Sequence, residues 1–267
     1  MISGPLPTRC SGAVETMARL VLTLLLVAML AVPAPLRADP ASFGNWAAAV
    51  VAGDWRAADG QATDAFENAR RDMAAALVTA GFRPENIRQF SPDPYTPGVL
   101  ETNADRLNAA MRDVASKTRG GCLFYVTTHG SPDGFLILGH KNILKPADLD
   151  LMLDLTCSLR PTVIILSACF SGIFIPELEA GNRLILTAAS KDRSSFGCGV
   201  NERYPYFDDC LISVLPKVAD LAALAASAGT CVSAREKRER MSPPSNPQVS
   251  MGIDMRTLVP TLSLRPE

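Results

Sequence analysis

The sequence lacks several features that would assign it at once to a common class of protein. Its 267 residues include 26 Lys and Arg, 27 Asp and Glu, and only 2 histidines. This near-neutral balance, without a long run of one sign, argues against attraction to nucleic acid. The densest basic stretch, residues 235–240, is interrupted by acidic residues and is typical of a solvated helix face.

The usual signatures of metal and serine chemistry are also missing. The scarcity of histidine and the absence of any Cys-x-x-Cys spacing argue against a zinc site. No Gly-x-Ser-x-Gly is present, so a serine enzyme of the α/β-hydrolase type ranks last among the candidate functions. We therefore expect neither a metal nor a cofactor.

Long apolar runs are confined to the N-terminal region. Residues 20–32 are almost purely apolar, follow Arg19, and precede a Pro-rich stretch that ends in Leu-Arg-Ala at residues 36–38. The run is short for a bilayer span, so we predict a signal peptide over residues 1–38, with Met17 as an alternative start. An uncleaved membrane anchor is the alternative. The predicted product is secreted or periplasmic, without stable membrane insertion, and its oligomeric state is left open.

Six cysteines lie beyond the predicted cleavage site. An exported chain can form disulfides, but their connectivity cannot be read from the sequence. If Cys169 stays a thiol, an odd number remains, so at least one more is unpaired. The six are Cys122, Cys157, Cys169, Cys198, Cys210 and Cys231.

Apolar strand-like runs alternate with segments of helical periodicity. The predicted strands are residues 47–52, 87–90, 122–128, 135–138, 162–167 and 183–187. The predicted helices are residues 64–80, 102–116, 147–159 and 207–227, the last broken at Pro216. Residues 242–267 form a Pro-rich linker and an edge segment. This alternation predicts one α/β domain over residues 39–267, with a mainly parallel central sheet and helices on both faces.

Two reactive side chains stand where strong predicted strands end. His129 follows one and Cys169 follows another, and parallel sheets build their sites at the carboxyl ends of strands. An imidazole can activate a thiol and later protonate a leaving amine. The N–H groups of Gly130 and Cys169 are the candidate oxyanion hole. The alternatives are a buried apolar cysteine and a structural histidine; His140 is interpreted as a surface or structural residue.

Four short motifs, in this order, resemble those of a known peptidase group. Thr-His-Gly-Ser stands at residues 128–131 and Ser-Ala-Cys-Phe-Ser-Gly at residues 167–172. Thr-Ala-Ala follows at residues 187–189, and Ser-Ser-Phe-Gly-Cys at residues 194–198. The set is similar to that of the caspase-like cysteine peptidases, and within them to the legumain family, peptidase family C13. The resemblance extends over residues 45–215 and implies a caspase-like α/β fold.

The resemblance also implies an activity and a pair of catalytic residues. The chain would be a cysteine endopeptidase with His129 and Cys169 as its dyad, acting on a peptide or protein substrate through a thioester acyl-enzyme. Cleavage would follow a polar residue such as asparagine or aspartate.

A first specificity pocket is implied as well. Ser194 and Ser195 match the paired serines that line this pocket in legumains, and Asp209 matches one of its acidic groups, although a shifted register would select Asp208. Phe170 stands where legumains carry an acidic residue after the nucleophile, and the pocket arginine has no matching motif position. Read without the resemblance, the serines form a polar turn and the aspartates a charge pair at a helix N-terminus.

Two other functions use the same features. A transpeptidase or ligase would resolve the acyl-enzyme with an amine instead of water. A non-catalytic binding module would keep the caspase-like fold with an unreactive Cys169.

Overall fold

The computed structural model describes Met1, Gly4, residues 42–94 and residues 96–264. Apart from Met1 and Gly4, the predicted signal peptide lies outside the described residues. Within the described ranges, no helix combines the length and the apolar character needed to cross a membrane.

A twisted seven-stranded sheet forms the centre of the described domain, and a small three-stranded sheet flanks it. The ten described strands, in chain order, are β1 Ala47–Ala52, β2 Ile87–Ser91, β3 Val99–Glu101, β4 Cys122–Thr127, β5 Gly130–Ser131, β6 Phe135–Leu138, β7 Asn142–Leu144, β8 Thr162–Ser167, β9 Arg183–Thr187 and β10 Gln248–Met251. The large sheet has the order β10-β9-β8-β4-β1-β2-β3, and only β10 is antiparallel to its neighbour.

Helices connect the strands and cover the sheet. The described α-helices are α1 Ala65–Thr79, α2 Ala104–Lys117, α3 Pro146–Thr156, α4 Ile175–Leu178, α5 Tyr206–Val214, α6 Leu221–Glu239 and α7 Ile253–Leu258. Several begin where the sequence signals a start: Asn103 accepts the Arg106 N–H before α2, and Pro146 occupies the first turn of α3.

The side chains of each central strand alternate between two hydrophobic layers. On one face, residues such as Val50 and Leu123 pack with α1, α5 and α6. On the other, residues such as Val51 and Phe124 pack with α2 and α3. Strands apolar on both sides are what a helix-covered parallel sheet requires, and the predicted α/β fold with helices on both faces is confirmed.

The predicted break at Pro216 in the helix over residues 207–227 is confirmed, but the predicted end at residue 227 is wrong. The structure forms α5 and α6, separated by a 3-10 turn at Leu215–Lys217. Pro216 has no N–H to continue the hydrogen-bond ladder, and Asp220 starts the second helix by accepting the Ala223 N–H at 2.8 Å. The second helix, α6, continues to Glu239 and includes most of the basic stretch at residues 235–240.

Short strands account for most of what the sequence pattern did not predict. β3, β5 and β7 have two or three residues each, too few to show a periodicity. β5, β6 and β7 form an antiparallel sheet directly after β4. β10, in the C-terminal segment, pairs with β9 at the edge of the large sheet.

Two disulfides join elements within the described domain. Cys122 at the start of β4 is bonded to Cys157 after α3, and Cys210 of α5 to Cys231 of α6. The bonded cysteines are 35 and 21 residues apart. Each disulfide therefore closes a loop in the unfolded chain and lowers its conformational entropy, which stabilises the folded state. Cys169 and Cys198 are free thiols.

We expect the double substitution Cys122→Ala with Cys157→Ala to lower the free energy of unfolding by about 3–4 kcal/mol, the loop-closure contribution of such a bridge. Urea denaturation without reductant measures this loss. Cys198→Ala is the matched control, because it removes a thiol that closes no loop. Equal stability of the double variant and the wild type would contradict the pairing.

Candidate active site

The candidate dyad lies where two neighbouring strands end. β4 and β8 are parallel with Thr127 opposite Ser167, and the Thr128 N–H donates to the Ser167 carbonyl at 3.0 Å. His129 and Cys169 follow these strands at matching positions. Both therefore leave the sheet at the same carboxyl edge.

The main chains of the two segments touch just beyond this edge. A Cβ at Gly130 would collide with the carbonyl oxygen of Cys169, so this close approach requires glycine. His129 and Cys169 are both partly exposed.

The His129 ring is held by one hydrogen bond and one ring contact. Its Nε2 lies 2.8 Å from the Arg56 carbonyl oxygen, and the Phe66 ring meets it edge-on at 5.0 Å between centroids. A carbonyl oxygen only accepts, so Nε2 carries the hydrogen and Nδ1 is the proton acceptor. Arg56 is fixed in turn by buried Asp54, whose carboxylate accepts from the guanidinium at 3.0 Å.

The Cys169 sulfur lies against Ser195. The Ser195 N–H donates to Sγ at 3.3 Å, and Sγ is 3.5 Å from the Ser195 carbonyl oxygen and 3.6 Å from Oγ. Ser194, its neighbour, is exposed.

The chain turns sharply after Cys169. Phe170 has a left-handed φ of 55°, which costs a non-glycine residue about 1 kcal/mol. Its N–H donates to the Arg193 carbonyl at 2.8 Å, and the Gly172 N–H donates to the Ala189 carbonyl at 2.9 Å. These bonds hold the segment that carries Ser195 against the turn.

The N–H of Gly130 is directed away from the small sheet. The Ile137 N–H donates to the His129 carbonyl, which makes those two residues a hydrogen-bonded pair of the β5–β6 ladder. Hydrogen-bonded and free pairs alternate in an antiparallel ladder, so Gly130, opposite Leu136, is at a free position. Its donor is available to a ligand.

The adjacent aspartates of α5 have different surroundings. Asp209 is half-exposed and pairs with Arg235 of α6 at 2.6 Å. That guanidinium lies 3.7 Å over the Tyr206 ring and also contacts Glu202. Asp209 is thus engaged on the outer side of α5, where it stabilises the contact between two helices.

Asp208 is fully buried beneath the strand ends. Its carboxyl accepts hydrogen bonds from the Tyr125 hydroxyl and the Thr127 hydroxyl, each at 2.7 Å. Burial raises the pKa of Asp208 from 3.8 to about 7, although hydroxyl donors from Tyr125, Thr127 and Ser167 oppose the rise. Of the two aspartates, it is Asp208 that contacts the strands leading to the candidate dyad.

The sequence model of the peptidase C13 family matches residues 67–227. The chain belongs to the peptidase C13 family. The match includes all the predicted site residues, among them His129 and Cys169. Membership of this family supports a cysteine peptidase, a hydrolase of peptide bonds, and confirms the resemblance inferred from the four motifs.

Solved structures agree on the fold of this C13 chain. Caspase-1 from Spodoptera frugiperda superposes with a TM-score of 0.56 at 15% identity, over 82% of this chain and 92% of the caspase. At that identity the likeness shows the caspase-like fold alone. No curated protein matches the chain.

The other free thiol of the described residues and the other histidine of this C13 chain differ from the candidate dyad. Burial, followed by the nearby Cys169, raises the pKa of Cys198 to about 11, so it is a poor source of thiolate. His140 lies 3.2 Å from Asp93 and 3.1 Å from the Pro92 carbonyl, beyond the ends of β2 and β6.

Sequence reasoning did not predict two contributors to the site. The Arg56 carbonyl gives no sequence signal, because every residue carries the same group. The motif register leaves Asp208 only as the alternative to Asp209. Its signal was Tyr125 and Thr127 in an otherwise apolar strand, since buried hydroxyls need partners.

We expect Gly130→Ala to slow alkylation of Cys169 at least tenfold, because the new methyl group must push the two strand ends apart. The rate with a thiol-reactive peptide probe measures the effect. Gly229→Ala on α6 is the matched control, since a Cβ there meets open space. Equal rates for all three proteins would contradict the close approach.

We also expect Asp208→Asn to flatten the dependence of stability on pH. Because the folded pKa lies above the unfolded value, the carboxyl favours folding most below about pH 4, and this contribution is lost as the pH rises to about 7. The stability of the variant relative to wild type should rise across that interval by up to about 4 kcal/mol and then level off. Urea denaturation at several pH values tests this; parallel stability curves would refute it.

Proposed function

We propose that the chain is an endopeptidase that uses Cys169 as nucleophile and His129 as acid and base. The observation that carries the proposal is the contact between the main chains of Gly130 and Cys169 at the ends of neighbouring strands. A thiol and an imidazole on these segments lie at one edge of the fold, partly exposed.

The proposed reaction has two stages. The thiolate of Cys169 attacks the scissile carbonyl carbon, and the developing oxyanion accepts hydrogen bonds from the N–H groups of Gly130 and Cys169. The C–N bond then breaks, and His129 delivers its proton to the departing amine, which leaves a thioester. A water molecule, deprotonated by His129, attacks the thioester, releasing the acid product and restoring the thiol.

The His129 hydrogen bonds favour this role. With Nε2–H donated to the Arg56 carbonyl, Nδ1 exchanges protons with the thiol and the substrate. The carbonyl also stabilises the imidazolium formed in each stage, because the Nε2–H bond strengthens when the ring is positively charged.

We propose that the residue before the cleaved bond is polar, asparagine or aspartate. Ser195 supports this, because its main chain and hydroxyl lie directly beside the sulfur. Cleavage of a peptide library, read by mass spectrometry with the Cys169→Ala protein as blank, tests the preference. A profile dominated by apolar residues at that position would refute it.

We propose further that the protein works in the periplasm or outside the cell. Disulfides such as Cys122–Cys157 and Cys210–Cys231 persist in oxidising compartments and are rare in the cytosol. Together with the basic and apolar pattern of the first 38 residues, they support export by a signal peptide.

We expect Cys169→Ala and His129→Ala each to lower peptide cleavage by a factor of about 10³ or more, since the members of a catalytic pair act as a unit. Cys198→Ala, which removes the other free thiol of the described domain, is the control and should keep the wild-type rate. Cleavage surviving in Cys169→Ala would refute the assignment.

Product masses separate hydrolysis from transfer. Cleavage in water adds one water molecule across the bond, whereas a transpeptidase gives a product joined to an added amine. A wild-type chain that neither cleaves peptides nor labels at Cys169 would instead be a binding module with the caspase-like fold.

A further inference from the structure

A buried polar cluster connects α5 to both strands that lead to the candidate dyad. Asp208 is its centre, with no exposed surface. The hydroxyls of Tyr125 and Thr127 reach it from β4, and the hydroxyl of Ser167 reaches it from β8. One carboxyl thus contacts two neighbouring strands at their carboxyl ends.

The cluster lies on the face of the sheet to which the dyad belongs. If the alternation of side chains continues past the strand ends, His129 shares the face of Thr127, and Cys169 that of Ser167. The Phe66 contact with His129 comes from α1, which covers this same face.

The cationic side chains of the packed helices do not neutralise Asp208. Arg70 of α1 pairs with Glu67, and Arg235 of α6 pairs with Asp209. The carboxyl of Glu236, which is also buried and lies on α6, accepts a hydrogen bond from the Ser245 N–H. The titratable groups acting directly on Asp208 are the Tyr125 phenol of β4 and the carboxyl of Asp209 beside it.

We propose that Asp208 is a positioning residue, whose carboxyl holds the ends of β4 and β8 in register and whose charge, once formed, disfavours the thiolate of Cys169. The proposal rests on the assigned dyad. Its physical basis is that each proton leaving the Cys169–His129 pair makes the pair more negative at the same strand ends as a buried carboxyl, on which no cation among the described residues acts directly.

Asp208 gains its charge in the same pH range in which thiols and imidazoles lose their protons. Burial raises its pKa to about 7, so the carboxyl is neutral at mildly acidic pH and charged at mildly alkaline pH. Deprotonation of the dyad then meets growing repulsion as the pH rises, and the pH profile of thiol reactivity is broader than that of a single group.

The test measures alkylation of Cys169 by iodoacetamide between roughly pH 5 and pH 9, where thiols and imidazoles titrate. The full chain carries Cys198→Ala, and the peptide containing Cys169 is quantified by mass spectrometry. Asp208→Asn keeps the shape of the carboxyl but cannot ionise; because the amide nitrogen donates, one of the two hydroxyls must accept a hydrogen bond there instead of donating one. We expect its profile to be steeper, with a midpoint lower by roughly one pH unit.

Glu236→Gln is the matched control, because it neutralises another buried carboxyl that lies away from β4 and β8. Its profile should coincide with that of the parent. A folded Asp208→Asn protein whose profile also coincides with the parent, or a Glu236→Gln profile shifted equally, would overturn the proposal.

If Asp208→Asn does not fold, Tyr125→Phe tests the effect of the Asp208 charge on the thiol instead. Tyr125→Phe keeps the carboxyl but removes a hydroxyl that stabilises its charged form, so Asp208 holds its proton to higher pH. The midpoint should again fall, by a smaller amount. An unchanged profile in a folded Tyr125→Phe protein would then refute the proposal.

This readout is separate from the peptidase assignment. Alkylation requires a reactive thiol and no peptide cleavage. If the wild-type chain cleaves no peptide, the proposed function fails, whereas a shifted alkylation profile in Asp208→Asn still shows that the carboxyl acts on the thiol.

Discussion

The parallel pairing of β4 with β8 is the constraint on which the candidate site depends. Main-chain hydrogen bonds run the length of both strands and continue to Thr128 beyond the end of β4. Because the strands are parallel and in register, the residues that follow them emerge side by side. A shift of one residue would turn His129 or Cys169 to the opposite face, so strand register and candidate chemistry are inseparable.

The segments that follow β1, β8 and β9 supply the remaining contacts of the candidate site. The loop after β1 supplies the Arg56 carbonyl to the imidazole, and the loop after β9 supplies Ser195 to the sulfur. The turn after β8 is fixed to the latter loop through the Phe170 N–H. The strands thus form a rigid scaffold, and the loops at their ends carry the polar groups of the site, as is common in helix-covered sheets.

The core beneath the candidate site combines apolar packing with a buried polar cluster centred on Asp208. Two hydrophobic layers cover the faces of the sheet, and a disulfide joins β4 to the end of α3. Asp208 and its hydroxyl partners interrupt one layer just below the dyad. A buried carboxyl is costly unless it is hydrogen-bonded or neutral; two hydroxyls donate hydrogen bonds to Asp208, and burial raises its pKa to about 7, so it is neutral at mildly acidic pH.

The sequence by itself determined the long strands, the mainly parallel sheet, the two residues at its carboxyl edge and the family. Strands that are buried on both faces appear as continuous apolar runs, and the motifs are short stretches in a recognisable order, so both can be read from neighbouring residues. The sequence did not determine the short strands, the extension of α6 to Glu239, or the disulfide partners. Only the tertiary structure separated Asp208 from Asp209 and brought the Arg56 carbonyl to His129. Those contacts join residues distant in the chain, and identical chemical groups acquire different roles only through what folding packs against them.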